Sequence, residues 1–193
     1  GSPYMGRHAQ RAVIVQAMRS VVNSSESLRQ EQRVFNLLSA PGYPEMIQPL
    51  VGLNADRKTT AFIVADTPFR LGPTSNELQN WAQNSAGATD NGDKGLVTAN
   101  DYSAIFYPSG FTSDLAGNDA VVPPSHIMLR MLALSDQVAF PWFAPAGLRR
   151  GVVDNATSVG YINPSTSEFN VVALREGVRD TMYANKINPL TIL

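Results

Sequence analysis

The sequence predicts an α/β protein in three layers, with a mainly parallel sheet flanked by helices and then an irregular proline-rich segment. The runs 60–65 and 103–107 are short and almost wholly apolar, which is typical of parallel strands that are buried on both faces. Stretches with apolar residues at helical spacing precede and separate these runs. Strands that alternate with helices favour a parallel sheet covered on both faces.

The first third of the chain predicts a helix and then a β-α-β unit. Apolar residues at helical spacing predict an amphipathic helix over 10–22; they are Ile14, Ala17, Met18 and Val21. A strand is expected at 34–38. Pro44 and Glu45 then suit the first turn of a helix, because proline lacks only an unbonded amide there and a carboxylate favours the positive helix end.

The pattern then repeats. Thr74 or Ser75 is placed to cap a helix before the strand at 103–107. The polar, glycine-rich stretches 84–95 and 109–119 predict exposed loops.

The final third begins with a helix and then becomes irregular. Ser125 is placed to cap a largely buried helix over 127–134. Two prolines within 140–147 exclude a regular helix or a central strand there, because proline lacks the amide donor. A boundary within the chain is therefore expected near 137–150.

Composition bounds the function. A chain of 193 residues is long enough to bury a hydrophobic core that needs no stabilising disulfide or metal ion. The absence of cysteine excludes disulfides, cysteine-ligated metal sites and a thiol nucleophile. Charged residues make up 16%, below the roughly 25% of average soluble domains, which favours a surface that meets other protein. Apolar runs are too short for a membrane helix, so no membrane insertion is expected.

The beginning of the chain is treated separately. Residues 1–5 read as an expression scar, which leaves 6–193 for the fold. Within 1–35 five basic residues stand against two acidic ones. This excess fits a solvated helix face or a contact with an acidic protein surface. No basic cluster is interleaved with aromatic residues, so no nucleic-acid partner is expected.

The candidate catalytic patterns are incomplete. Asp66, at the end of a buried strand, could join His126 and a later serine in a triad, but no Gly-x-Ser-x-Gly turn presents a nucleophile. Asp66 is instead expected to bind backbone amides or an arginine. The run 90–101 resembles a calcium loop, but Lys94 stands where an oxygen ligand is needed. We therefore expect no catalytic residue, metal or cofactor.

Several segments, in order, resemble one family. They read APGYPE at 40–45, DTP at 66–68, YSAIFYP at 102–108, VPPSH at 122–126, WFAPAG at 142–147 and NKINP at 185–189. In order and spacing the chain resembles the contractile tail sheath proteins of bacteriophages (myoviruses).

The resemblance implies a subtilisin-like core without protease activity. It implies a structural subunit that forms stacked six-membered rings around a tail tube and contracts to drive the tube through the host envelope. The implied partners are neighbouring sheath subunits, tube and baseplate proteins, and the implied location is the virion, assembled in the bacterial cytoplasm. Sheath proteins also have an N-terminal arm and a region beyond the Asn-Pro segment. The chain is therefore interpreted as a fragment, expected to be monomeric or weakly associating.

The resemblance also marks residues with structural roles. They are Pro123, Pro124, Ser125, Trp142, Pro145 and Gly147. Trp142 and Phe143 are expected to anchor the proline-rich turn to the core, where burying an aromatic side chain contributes roughly 1.5–3 kcal/mol. Arg149 and Arg150 are expected either to pair with acids of a neighbouring subunit or to remain solvated. The alternatives to a phage sheath are the sheath of a related secretion apparatus or bacteriocin and, remotely, a subtilisin-fold hydrolase.

Overall fold

A four-stranded parallel sheet forms the centre of the protein. The computed structural model describes residues 5–85 and 100–192. The strands lie in the order β1, β2, β3, β8, and all neighbours are parallel. They are β1 (Leu37–Leu38), β2 (Phe62–Asp66), β3 (Ser103–Tyr107) and β8 (Ile187–Pro189). The central strands β2 and β3 are the apolar runs predicted as buried strands, with boundaries within two residues.

Helices cover both faces of this sheet, as the α/β class requires. The helices of the described residues are α1 (Met5–Ser24), α2 (Glu26–Arg29), α3 (Ile47–Asp56, entered through the short 3₁₀ turn Pro44–Met46), α4 (Ser75–Gln83), α5 (Pro124–Val138), α6 (Gly147–Arg150) and α7 (Glu176–Ala184). One face of the sheet, with Ile63 and Ile105, packs against α3, α4 and α7. The opposite face, with Val64, packs against Met128 and Met131 of α5. The predicted parallel sheet with helices on both faces is confirmed.

Helix α1 packs on α3 through a face that shares only Met18 with the predicted one. Val15 is buried and Met18 and Val22 are partly buried, whereas Ile14 and Val21 lie in solvent. The reason is polar. Arg11 donates from Nε and Nη2 to the carboxylate of Glu45 at 2.7 and 2.9 Å, and this contact fixes the rotation of the helix.

The protein also contains a second sheet, which is antiparallel. The prediction of a mainly parallel architecture therefore holds for the first sheet only. The order of the second sheet is β5, β4, β6, β7. The strands are β4 (Ser109–Ser113), β5 (Asp119–Val122), β6 (Ser158–Ile162) and β7 (Phe169–Val171). The loop expected at 109–119 is therefore wrong, because this stretch forms most of the β4–β5 hairpin. Strand β4 is short, polar and rich in glycine and serine, which hydropathy does not distinguish from a loop.

Other sequence predictions have mixed outcomes. Thr74 caps α4, and its hydroxyl accepts a hydrogen bond from the amide of Glu77. Ser125 does not cap α5, because the helix already begins at Pro124 after the capping residue Pro123. Most of the loop expected at 84–95, nearly all of the calcium-like run 90–101 and most of the expression scar lie outside the described residues.

Candidate functional site

The carboxyl end of β2 carries a buried carboxylate, at the edge where parallel α/β sheets place their sites. Asp66 is 2% exposed. Its Oδ1 accepts a hydrogen bond from the amide of Ser125 at 2.6 Å, and its Oδ2 accepts from the Ser125 hydroxyl at 2.8 Å and the amide of Gly42 at 2.8 Å. One side chain thus joins strand β2, the loop before α3 and the first turn of α5. The expectation that Asp66 binds backbone amides is confirmed.

Burial raises the pKa of the Asp66 carboxyl, and the hydrogen bonds from Gly42 and Ser125 lower it in part. The Ser125 side chain is fully buried, and its hydroxyl donates to the Asp66 carboxylate rather than to an imidazole. His126 is exposed, and its backbone amide bonds to the carbonyl of Pro123. In the described residues this geometry joins no imidazole to a serine hydroxyl. Because the Asp66 carboxylate bonds to both Gly42 and Ser125, we call this cluster the Asp66 clamp.

Pro123, Pro124 and Ser125 have a shared role at this clamp. Pro123 is extended, with φ −65° and ψ 150°, and Pro124 occupies the first turn of α5, where a missing amide costs no hydrogen bond. Both prolines restrict the backbone just before Ser125. They therefore favour the chain direction that presents the Ser125 amide to Asp66.

A different part of the surface has the composition of an interaction site. After α5 ends, residues 139–153 form an excursion, that is, a segment that leaves the core and returns to it. At its end, Arg130 of α5 donates to both carboxylate oxygens of Asp154 at 3.0 and 3.1 Å. Val153 packs against the apolar cluster between α5 and the parallel sheet. Both ends of the excursion are therefore attached to the fold.

The aromatic residues of this excursion lie in solvent, so the expectation that Trp142 and Phe143 anchor it to the core is wrong. Phe140, Trp142 and Phe143 are 62%, 76% and 49% exposed. The rings of Phe140 and Trp142 stack in parallel with centroids 4.7 Å apart. Prolines at 141 and 145 keep residues 140–146 out of regular structure, so Phe140 and Trp142 pack on one another instead of on the core.

The two predicted contact arginines follow these rings in the chain. Pro145 precedes the short helix α6, and Gly147 begins it with φ +73°, in the left-handed region that favours glycine. Arg149 and Arg150 follow in α6, and both are exposed. The guanidinium of Arg150 lies 5.6 Å from the ring centroid of Phe143, and within the described residues neither arginine has a carboxylate partner.

We name the surface formed by Phe140, Trp142, Phe143, Arg149 and Arg150 the aromatic–arginine surface. Its aromatic residues and arginines are the residue types that are enriched in protein interfaces, and Leu148 and Val152 in the same segment are also exposed. Sequence reasoning selected its arginines but assigned its rings to the core. Proline interruption, which breaks the periodicity required for packing, was the available signal for exposure.

Metal and membrane sites are not found in the described part of the chain. Across 5–85 and 100–192, no three His, Asp or Glu side chains converge as metal ligands would. None of the helices in these ranges combines the length and apolar character that a bilayer crossing requires.

No protein-family model matches the chain, and no curated protein matches it. Functional inference therefore depends on the motifs of the sequence and on the geometry of the surface.

Proposed function

We propose that the protein is a structural subunit of a contractile phage tail sheath, with the subtilisin-like core of that family. The observation that carries the proposal is the aromatic–arginine surface, because it exposes three aromatic rings next to two arginines that lack carboxylate partners among the described residues. Such a surface is costly in a protein that never associates. It lies directly at the WFAPAG segment, one of the ordered motifs that resemble sheath proteins.

The buried clamp around Asp66 supports the same role. It fixes a strand, a loop and a helix relative to one another through hydrogen bonds that are shielded from water. A sheath subunit moves as a rigid body between two packings, and the free energy released comes from the better packing of its surfaces. A rigid core with exposed segments that bind neighbouring subunits fits that task. Such a movement requires no bound nucleotide or covalent intermediate.

In this role the proposed partners are neighbouring copies, the tail tube and the baseplate, and the proposed location is the virion. Arg149 and Arg150 are proposed to pair with carboxylates of a neighbouring copy. The arginine fork binds a carboxylate through two parallel hydrogen bonds, which fixes orientation as well as distance.

Immunogold electron microscopy tests the proposal. Antibody raised against the purified 193-residue chain is applied to contractile particles from the organism that encodes the sequence. We expect gold along the outer cylinder in both extended and contracted particles, and no gold after the antibody is adsorbed with the chain. Gold confined to the tube tip, the head or the baseplate, or no labelling, would contradict a sheath role.

The same particles separate the alternatives. Labelled cylinders joined to DNA-filled heads indicate a phage, whereas headless labelled cylinders indicate a secretion apparatus or bacteriocin. A fluorophosphonate probe tests the hydrolase alternative, because it labels only an activated serine. His126→Ala is the matched control, because the triad hypothesis makes His126 the base that activates the serine, so labelling that survives this substitution does not arise from that triad.

A further inference from the structure

We propose that the partner of the aromatic–arginine surface is the tip of the β4–β5 hairpin in a second copy of the chain. In this contact Leu115 packs on the exposed rings, and the carboxylate of Asp119 pairs with Arg149 or Arg150. The inference rests on the proposed function, of which it names the contact.

The hairpin tip is a rigid projection. Asp114 accepts hydrogen bonds at Oδ1 from the amides of Ala116 and Asn118, each at 2.8 Å, and at Oδ2 from the Asn118 side chain at 2.9 Å. Gly117 turns the chain at φ +86° and donates to the Asp114 carbonyl at 3.0 Å. A turn held by this many bonds loses little conformational entropy when it binds.

This rigid turn holds Leu115 fully in solvent. Nothing in the described chain covers the side chain, although its neighbours are fixed. Asp114 and Asp119 flank it in the sequence, and the hydrogen bonds from Asn118 hold the pKa of Asp114 below its usual value. The hairpin tip therefore combines one exposed apolar side chain with two acidic residues.

The aromatic–arginine surface is the complement of this tip. Its three rings leave about 370 Å² in water, taking their exposed fractions and roughly 200 Å² for a whole aromatic side chain. Residues 138–152 contain two arginines and no acid. A segment with exposed apolar area and positive charge therefore meets a tip with exposed apolar area and negative charge, which favours encounter and fixes register.

The two surfaces are different parts of the same chain, so the contact is head-to-tail. A head-to-tail contact repeats from copy to copy and produces a ring when its rotation closes. The contact is small, below the roughly 1,000 Å² expected for a stable interface, so the free chain is expected to remain mainly monomeric. In a ring, every copy would supply one tip and one aromatic–arginine surface.

The absence of cysteine permits a clean crosslinking test with three single-cysteine variants. Ala116→Cys is the tip variant, Ala144→Cys is the surface variant, and Ala12→Cys on α1 is the matched control; all three alanines are exposed. Pairs of variants are mixed at high micromolar concentration with a short bismaleimide. We expect the heterodimer of the tip and surface variants to exceed each pairing with the control variant by about tenfold, the ratio given by ~1.4 kcal/mol.

Charge exchange tests the chemistry of the contact. Asp119→Arg in the tip variant should reduce the heterodimer, and so should Arg149→Glu with Arg150→Glu in the surface variant. Combining the two exchanged variants should restore it. Circular dichroism and urea unfolding of each variant show that it is folded before the yields are compared.

Several outcomes would overturn the inference. A heterodimer yield equal to that of the control pairs shows that the tip does not bind this surface. Predominant homodimers of the tip variant or of the surface variant show a symmetric contact instead. Failure of the charge exchange to restore the yield removes the ionic pairing. Immunogold labelling is independent of these results: labelled cylinders without the crosslink reject only this contact, whereas the crosslink without labelled cylinders rejects only the sheath role.

Discussion

Asp66→Ala is expected to lower the free energy of unfolding by about 3 kcal/mol. The carboxylate accepts three hydrogen bonds in a site that is 2% exposed. After the substitution the Ser125 hydroxyl can rotate to another acceptor, but the amides of Gly42 and Ser125 cannot move. Each buried donor left without a partner costs about 1–3 kcal/mol, and relief of the buried carboxylate offsets part of that sum.

Urea unfolding followed by fluorescence measures this change. Trp81 is buried and reports on the core, and a Trp142→Phe background removes the signal of the exposed indole. The matched control is Asp136→Ala at an exposed position of α5, which is expected to change stability by less than about 0.5 kcal/mol. An equally small change for Asp66→Ala would refute the clamp.

The pH dependence of Asp66→Asn tests the electrostatics. Because burial raises the pKa of Asp66, the folded protein holds a proton that the unfolded chain releases. The stability that this bound proton contributes is fully present at pH values below the pKa of Asp66 in the unfolded chain. It is lost as pH rises through the pKa of Asp66 in the folded protein. Asparagine does not titrate, so the stability deficit of the variant should be larger near pH 3 than near pH 7. A deficit that grows with pH would show that hydrogen bonding outweighs burial.

Three further substitutions test other parts of the fold. Gly160→Ala places its Cβ against a backbone carbonyl of β7 and should cost about 1–3 kcal/mol in urea unfolding, whereas the matched Gly110→Ala meets a flexible side-chain end and should cost less. Burial raises the pKa of the Tyr107 hydroxyl, so the wild-type protein loses free energy of unfolding as pH rises above about 10, where the unfolded chain releases this proton. Tyr107→Phe should therefore make the free energy of unfolding less dependent on pH in this range. Arg11→Met removes the guanidinium from the buried Glu45 carboxylate and should cost about 1–3 kcal/mol; limited proteolysis should then cut α1 first, and an unchanged cleavage pattern would count against this anchor.

The sequence predicted the parallel sheet because its strands are continuous apolar runs. Both central strands end within two residues of the predicted position, since burial on both faces leaves no polar position inside the run. The helix after Thr74 was predicted equally well, because its capping residue and the spacing of its apolar residues both indicate a helix. In each of these elements local preference and tertiary packing favour the same structure.

The antiparallel sheet was not predicted, because its strands have only three to five residues and are not consistently apolar. Strand β4 contains two serines and a glycine, and its order depends on pairing with β5 and β6 rather than on its own side chains. Polar contacts also determined which face of α1 is buried. Hydropathy registers Ile14 and Val21 but not the two hydrogen bonds between Arg11 and Glu45.

The candidate surface was the least predictable element because burial of an aromatic residue depends on whether its segment can pack. Trp142 lies between Pro141 and Pro145, where the backbone cannot form the hydrogen bonds of a helix or a central strand. Buried without such bonds, its amides and carbonyls would be unsatisfied, so the segment stays at the surface and carries its rings into water. A hydropathy scale assigns the same value to a tryptophan in either setting.

Stability and association therefore depend on separate residues. The elements are positioned by buried polar contacts, among them the Asp66 clamp and the two hydrogen bonds between Asn54 and Ala61 that join the end of α3 to the start of β2. The exposed rings contribute little to folding, because their contacts with the core are few. Trp142→Ala should accordingly leave urea unfolding unchanged within about 0.5 kcal/mol while it weakens self-association. Loss of stability on this substitution would mean that the ring packs on the core, and the surface would no longer be available to a neighbouring copy.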